Sequence, residues 1–167
     1  TPTLSSAASD VYKRQAYRGL LRLEKTLGNR LATKRLHENA AKEIPHTYYI
    51  RLSYLSSLKP RWGGSLDQMD NYALQIDDLV QLNPRLWSLK GAAAGERGKI
   101  AFDKEEFHDS IKHYTEALSY GDRLSYLNMR STAYIKIGDY QSALDDFKRY
   151  LISVSYTHLT LPTKVSV

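Results

Sequence analysis

The sequence predicts an all-α fold of stacked antiparallel helix pairs, and three observations carry that prediction. Phe107, Ser110, Ile111, Tyr114, Ala117 and Leu118 recur as Tyr140, Ala143, Leu144, Phe147, Tyr150 and Leu151, a constant shift of 33 residues. A period of that length marks stacked helical hairpins. Elsewhere apolar residues recur at spacings of three and four, and no stretch shows strand-like alternation of useful length. Within the repeat, Ser110, Ala117 and Ala143 are small where two helices must approach to roughly 8–10 Å, while Phe107, Tyr114, Tyr140 and Phe147 fill the facing grooves. Neither hairpin can bury its apolar face alone.

The same residues carry a family resemblance. Gly98, Ala101, Phe107, Ser110, Tyr114 and Ala117 fall on the signature positions of one tetratricopeptide (TPR) repeat, and Ala133, Tyr134, Gly138, Asp139, Tyr140, Ala143 and Phe147 on those of a second. Residues 91–152 therefore resemble that family, which implies a TPR-like α-solenoid fragment acting as a non-catalytic scaffold for a protein or peptide partner. In the family the first helix of each hairpin lines a groove through its second, fifth, ninth, twelfth and thirteenth positions. Here these are Ala92, Gly95, Lys99, Phe102 and Asp103, then Ser125, Asn128, Thr132, Ile135 and Lys136. The implied peptide-binding set is Lys99, Phe102, Asn128, Thr132, Ile135 and Lys136. The lysines offer charge to a carboxylate, Asn128 can hydrogen-bond a peptide backbone, and Phe102 and Ile135 can bury a side chain. The chaperone-tail clamp of related repeats resembles K-x-x-G-N in its first unit and places an asparagine after the fifth position of its second. Gly95, Lys99 and Met129 stand at those places, so the resemblance does not extend to binding chaperone tails.

Upstream, Leu20, Leu23, Leu27 and Leu31 recur at helical spacing and predict a buried face, with Gly28-Asn29 as a break. Leu36, Ala40 and Ile44 continue the helical pattern to Pro45, which lacks a backbone donor. His46 to Ser57 carries Tyr48, Tyr49, Leu52 and Leu55 on one side of a third, short helix. Lys59 to Ser65 reads as a loop, with Ser65 and Gln68 forming a capping box for a helix whose stripe is Leu66, Met69, Tyr72, Ala73, Ile76, Leu79 and Val80. Asn83-Pro84 starts a helix that carries Leu86, Leu89, Ala93 and Ile100 into the first repeat. The P-R-W-G-G-S segment at residues 60–65 resembles one found in a bacterial family of uncharacterised helical proteins, and that likeness implies no known activity. The expected organisation is a helical domain over 16–83 and two TPR-like hairpins over 84–153, with roughly seven or eight helices in all.

Both termini resemble translated sequencing-adaptor DNA. DVYKRQ at residues 10–15 and VSYTH at residues 154–158 can be encoded by one DNA word read in opposite orientations. Residues 1–15 and 154–167 are accordingly expected to be adaptor-derived tails, with native sequence continuing beyond both junctions. Without Lys13, Arg14, Lys164 and Asp10 the net charge falls from +6 to about +4. Discounting the second tail leaves no helix to follow the second repeat, so Leu151 and Ile152 are expected to be exposed.

Composition narrows the function classes. A chain of 167 residues, 42% hydrophobic and 25% charged, suffices for one domain with a real core. No run of eighteen apolar residues is present to span a membrane. Zero cysteines remove disulfides, thiol catalysis and thiolate metal sites. The lysines and arginines are interspersed with acids, and most of the 13 tyrosines sit at helical spacing, which argues against nucleic-acid binding.

The remaining constellations read as structural. Gly63-Gly64 lacks both the spacing of a phosphate loop and a preceding strand, and is expected to form a turn with Trp62 packed into a seam; a ligand pocket beside Trp62 and Arg61 is the competing reading. Of His37, His46, His108, His113 and His158, none has a second histidine at ligand spacing, so no metal site and no cofactor is assigned. Asp77-Asp78, Glu105-Glu106 and Asp145-Asp146 read as solvated helix faces rather than general acid and base pairs. No serine lies in a nucleophile elbow, and no catalytic residue is assigned. The alternatives to a binding scaffold are an enzyme or small-ligand-binding domain in the half that carries the P-R-W-G-G-S segment, or a weak nucleic-acid binder.

Overall fold

In a computed structural model the described residues run from Leu4 to Leu159, with side chains described from Ser9 to Val154. They form nine α-helices: α1 (Leu4–Thr26), α2 (Arg30–Glu43), α3 (Tyr48–Ser57), α4 (Leu66–Leu74), α5 (Asp77–Val80), α6 (Ala92–Asp103), α7 (Phe107–Ser119), α8 (Leu124–Lys136) and α9 (Tyr140–Leu159). Two 3₁₀ turns, Pro60–Trp62 and Pro84–Leu89, complete an all-α, TPR-like helical fold in which the described residues contain no strand. Helices outnumber the expectation because the stripe over residues 66–80 is interrupted: the Gln75 N–H bonds the Tyr72 carbonyl, and α5 starts only after Ile76. Asn83 caps the Pro84 segment as expected, accepting from the Arg85 N–H, but that segment stays 3₁₀ and ends before α6 begins.

The chain divides into two compact units, residues 1–93 and 94–167. Two clusters make up the core of the first. Leu55, Met69, Ile76, Leu86 and Leu89 pack with Tyr72, Ala92 and Ala93, and Leu21, Ala40 and Ile50 form a second group flanked by Tyr17, Leu36 and Ile44. The Pro84–Leu89 turn, read from sequence as the approach to the repeats, thus contributes its leucines to this core. The leucine stripe is a correction. Leu20, Leu23, Leu27 and Leu31 are all exposed, and α1 instead buries Leu21, beside Tyr17 one turn earlier, against α2 and α3. Helix α1 carries leucines on two faces, and only contact with Ala40 and Ile50 decides which is inner.

Helix α1 also runs unbroken through residues 4–15, which the sequence places in a tail. Neither proline nor glycine interrupts it there, and extending an existing helix avoids the cost of nucleation. Val11 and Tyr12 remain exposed, while Lys13 reaches Glu43 at 3.6 Å. Residues 1–3 and 160–167 of the expected tails lie outside the described residues.

Local chemistry explains the P-R-W-G-G-S turn. Gly63 is left-handed (φ 79°) and its N–H bonds the Pro60 carbonyl. A Cβ on Gly64 would lie 2.0 Å from the Leu58 carbonyl oxygen, so only glycine fits. Ser65 then caps α4 by accepting from the Gln68 N–H.

The second unit follows the 33-residue period closely. The Glu105 N–H bonds the Phe102 carbonyl and the Glu106 N–H that of Ala101; one period later the Gly138 and Asp139 N–H groups bond Ile135 and Tyr134 in the same way. Helix α8 packs between α7 and α9. Tyr114, Ala117 and Leu118 of α7 are buried, whereas their counterparts Phe147, Tyr150 and Leu151 on α9 are exposed or half-buried, and Leu151 and Ile152 are 65% and 60% exposed. No described element covers that face of α9.

Candidate functional site

The peptide-binding face implied by the repeats lies on α6 and α8, and its placement rests on what packs behind them. The Ser110 hydroxyl donates to the Gly98 carbonyl at 2.9 Å, and a Cβ on Gly98 would sit 3.1 Å from the Tyr114 ring. Close approach of α6 to α7 therefore uses a glycine and a serine where ordinary side chains would hold the helices apart. Burial raises the Tyr114 pKa above the usual phenol value.

Helix α8 is fixed by charge. Arg130 and Asp146, 8% and 3% exposed, form a two-pronged pair with N–O distances of 2.8 and 2.6 Å. A third guanidinium donor reaches the Thr115 hydroxyl of α7 at 2.9 Å. Burial opposes the charge on Arg130, but hydrogen bonding and attraction to Asp146 outweigh it, and its pKa lies above the usual value. Asp146 is thus no solvated acid, which corrects the reading of Asp145-Asp146; Asp145 alone is exposed. The signal was available, since Asp146 lies three residues after the buried Ala143 and Arg130 three after the buried Leu127.

The ten implied groove positions divide into two groups. Ala92 belongs to the core of the first unit, and Gly95 is covered by the Tyr126 ring, which would be 2.3 Å from a Cβ there. Neither offers a side chain to a ligand. Asp103, Ser125, Asn128, Ile135 and Lys136 are exposed, and Lys99, Phe102 and Thr132 half-buried. Lys99 is engaged by Asp103 at 2.6 Å, an exposed pair one helical turn apart. Phe102 meets the Phe107 ring edge-on at 5.5 Å, and the Thr132 hydroxyl donates to the Asn128 carbonyl within α8. Phe102 and Ile135 occupy equivalent places one period apart, as do Asp103 and Lys136, so the face repeats its apolar position and inverts its charge.

In the first unit, Trp62 does not fill a seam. It is half-buried and lines an open cavity of about 830 Å³ together with Arg30, His37, Arg51, Tyr54 and Tyr72. Sequence reasoning missed Arg51, although its place three residues after Tyr48 and four before Leu55 puts a cation on the inner side of α3. His37 is buried in the same cluster, while His46 and His108 are both exposed. His113 Nδ1 lies 3.7 Å from Glu116, and the His158 side chain lies outside those described. Among the described residues no group of three or more His, Cys, Asp and Glu side chains is placed to hold a metal ion, and no helix is long and apolar enough to cross a membrane.

Comparison with known proteins finds likeness over part of the chain. A Hsp70-Hsp90 organizing protein of Triticum aestivum is 38% identical over 52 residues, 30% of this chain. Hsp70-Hsp90 organizing proteins 3 and 1 of Arabidopsis thaliana are 34% identical over 50 residues and 35% over 52, or 29% and 30% of the chain. The matched part spans 9% of the length of each relative. No protein-family model matches the chain.

Proposed function

We propose that the second unit is a non-catalytic scaffold of the TPR type that binds an extended peptide across the exposed face of α6 and α8. The observation that carries this reading is the recurrence, one 33-residue period apart, of both the cap hydrogen bonds and the apolar positions Phe102 and Ile135. The relatives are named as organizers of Hsp70 and Hsp90, and likeness to them supports a role in binding protein. Lys136 and Asn128 present a charge and an amide, and Ile135 is 42% exposed beside them. An extended peptide with one carboxylate and one apolar anchor complements that set. Lys99 can join it by exchanging Asp103 for the peptide carboxylate, since exposed pairs of this kind contribute less than about 1 kcal/mol.

The chaperone-tail clamp is not reproduced. Where the resemblance would place its first lysine, Gly95 lies beneath the Tyr126 ring, and Met129 replaces its second asparagine. The ligand is therefore a peptide of another sequence class. Selection from a random peptide library with free C-termini tests this reading. Selected peptides should carry the carboxylate and apolar anchor, and Asn128→Ala with Lys136→Ala should weaken them at least about tenfold. Absence of any selected peptide, or affinity unchanged in that variant, would reject it.

A further inference from the structure

The first unit holds a second candidate site, independent of the repeats. Its cavity of about 830 Å³ falls in the range of small-molecule pockets. The floor is a chain of hydrogen bonds among buried polar groups. Arg51 Nε donates to the Pro45 carbonyl at 2.7 Å and Arg51 NH1 to the Tyr72 hydroxyl at 3.3 Å. The Tyr72 hydroxyl in turn lies 3.0 Å from His37 Nε2. With its oxygen accepting from Arg51, Tyr72 places its own proton on the line to Nε2, and the neutral imidazole then carries its hydrogen on Nδ1. Among the described residues Nδ1 has no hydrogen-bond partner, and neither has Trp62 Nε1.

The inventory is one-sided. Arg51 is 7% exposed and forms no ion pair among the described residues. A buried guanidinium held only by a carbonyl and a phenol lacks the counter-charge that such groups ordinarily require. Lys25, Arg30, Lys34 and Lys42 also line the cavity, against Glu38 as the one lining carboxylate. Burial lowers the Lys25 pKa, and repulsion from Arg61, Arg22 and Lys59 lowers it further, so positive charge around the Trp62 side is in excess. Donors without acceptors, and cations that outnumber the single carboxylate, which Lys34 already approaches at 3.8 Å, call for a ligand rich in negatively charged oxygen, while Trp62 and Leu58 supply an apolar wall for the rest of it.

We infer that this cavity binds a small organic anion, a carboxylate or phosphate carried on a ring or other apolar body, with Arg51 as its buried anchor and the lysines at its mouth as the attracting field. The P-R-W-G-G-S turn then has a purpose beyond reversing the chain: Gly63 and Gly64 set Trp62 at the edge of the cavity.

Phenyl phosphate, inorganic phosphate and phenol serve as probes, added to the full chain carrying Trp87→Phe so that Trp62 is the sole tryptophan. Phenyl phosphate should shift Trp62 emission saturably and raise Tm, inorganic phosphate should bind more weakly, and phenol should not bind. Affinity should fall with added salt and drop about tenfold in Lys34→Glu, an exposed position whose change loses only the weak pair with Glu38 and so moves the ligand-free Tm little. Arg51→Gln should abolish binding; if that variant does not fold, Lys34→Glu and the salt series decide. No saturable shift with phenyl phosphate, equal binding of phenol, or affinity indifferent to both Lys34→Glu and salt would each overturn the inference.

Discussion

Glu105 and Gly138 occupy the same position of consecutive repeats and share one backbone conformation, left-handed at φ 63° and 81°. Each follows the first helix of its hairpin, and each N–H closes the same turn on the residue three before it. Glycine adopts that conformation without steric penalty, whereas glutamate crowds its Cβ against the backbone.

Glu105→Gly should therefore stabilise the second unit by about 1 kcal/mol, and Gly138→Glu should destabilise it by about the same amount. Nothing lies within 4 Å of a Cβ built on Gly138, so the cost is conformational rather than a clash. Urea midpoints moving in opposite directions for the two variants are the expected result.

Asp146→Ala should cost about 3–5 kcal/mol, because it leaves the buried Arg130 guanidinium without a counter-charge and with the Thr115 hydroxyl as its remaining hydrogen bond. The exposed pair Lys99–Asp103 should contribute less than about 1 kcal/mol. In a denaturation series the Asp146 variant should unfold at far lower urea, while Asp103→Ala stays near the parent. Replacing Arg130 and Asp146 together by Met and Leu should recover much of the loss.

The P-R-W-G-G-S turn separates two uses of glycine. Gly63→Ala places a side chain at φ 79° with its nearest neighbours 3.7 Å away, and should cost about 1 kcal/mol. Gly64→Ala drives a Cβ into the Leu58 backbone and should cost more than about 2 kcal/mol. Thermal unfolding of the two single variants should rank them in that order.

Burial pushes the His37 pKa down to about 4 from 6.5, with the Arg51 charge adding to the effect. The folded chain thus excludes a proton that the unfolded chain binds, so the stability held by neutral His37 is complete above pH 6.5. It is lost as pH falls from 6.5 toward 4, reaching about 3 kcal/mol. His37→Asn should flatten this part of the profile, leaving only the carboxylate titrations shared by both chains.

Much of the architecture could be read from residue spacing, because helix faces and the 33-residue repeat are local patterns. Breaks at Gly28-Asn29, Ser65 and Gly138-Asp139 were legible for the same reason, each being a cap whose chemistry lies within a few residues. The leucine face of α1 was misread because Leu20 and Leu21 satisfy the same spacing on different sides, and only tertiary contact selects between them. The cavity of the first unit was hidden more deeply. Arg51, Tyr72 and His37 are separated by 21 and 35 residues along the chain, and single-residue properties say nothing about their meeting.

The central claim is that α6 and α8 of the second unit present a peptide-binding face, and a backbone amide chemical-shift map on adding a library-selected peptide tests it most directly. The account predicts the largest shifts at Phe102, Asn128, Thr132, Ile135 and Lys136, with the amides of Tyr140, Leu144 and Leu151 on α9 unmoved. Shifts concentrated on α9, or confined to the first unit around Arg51 and Trp62, would contradict it.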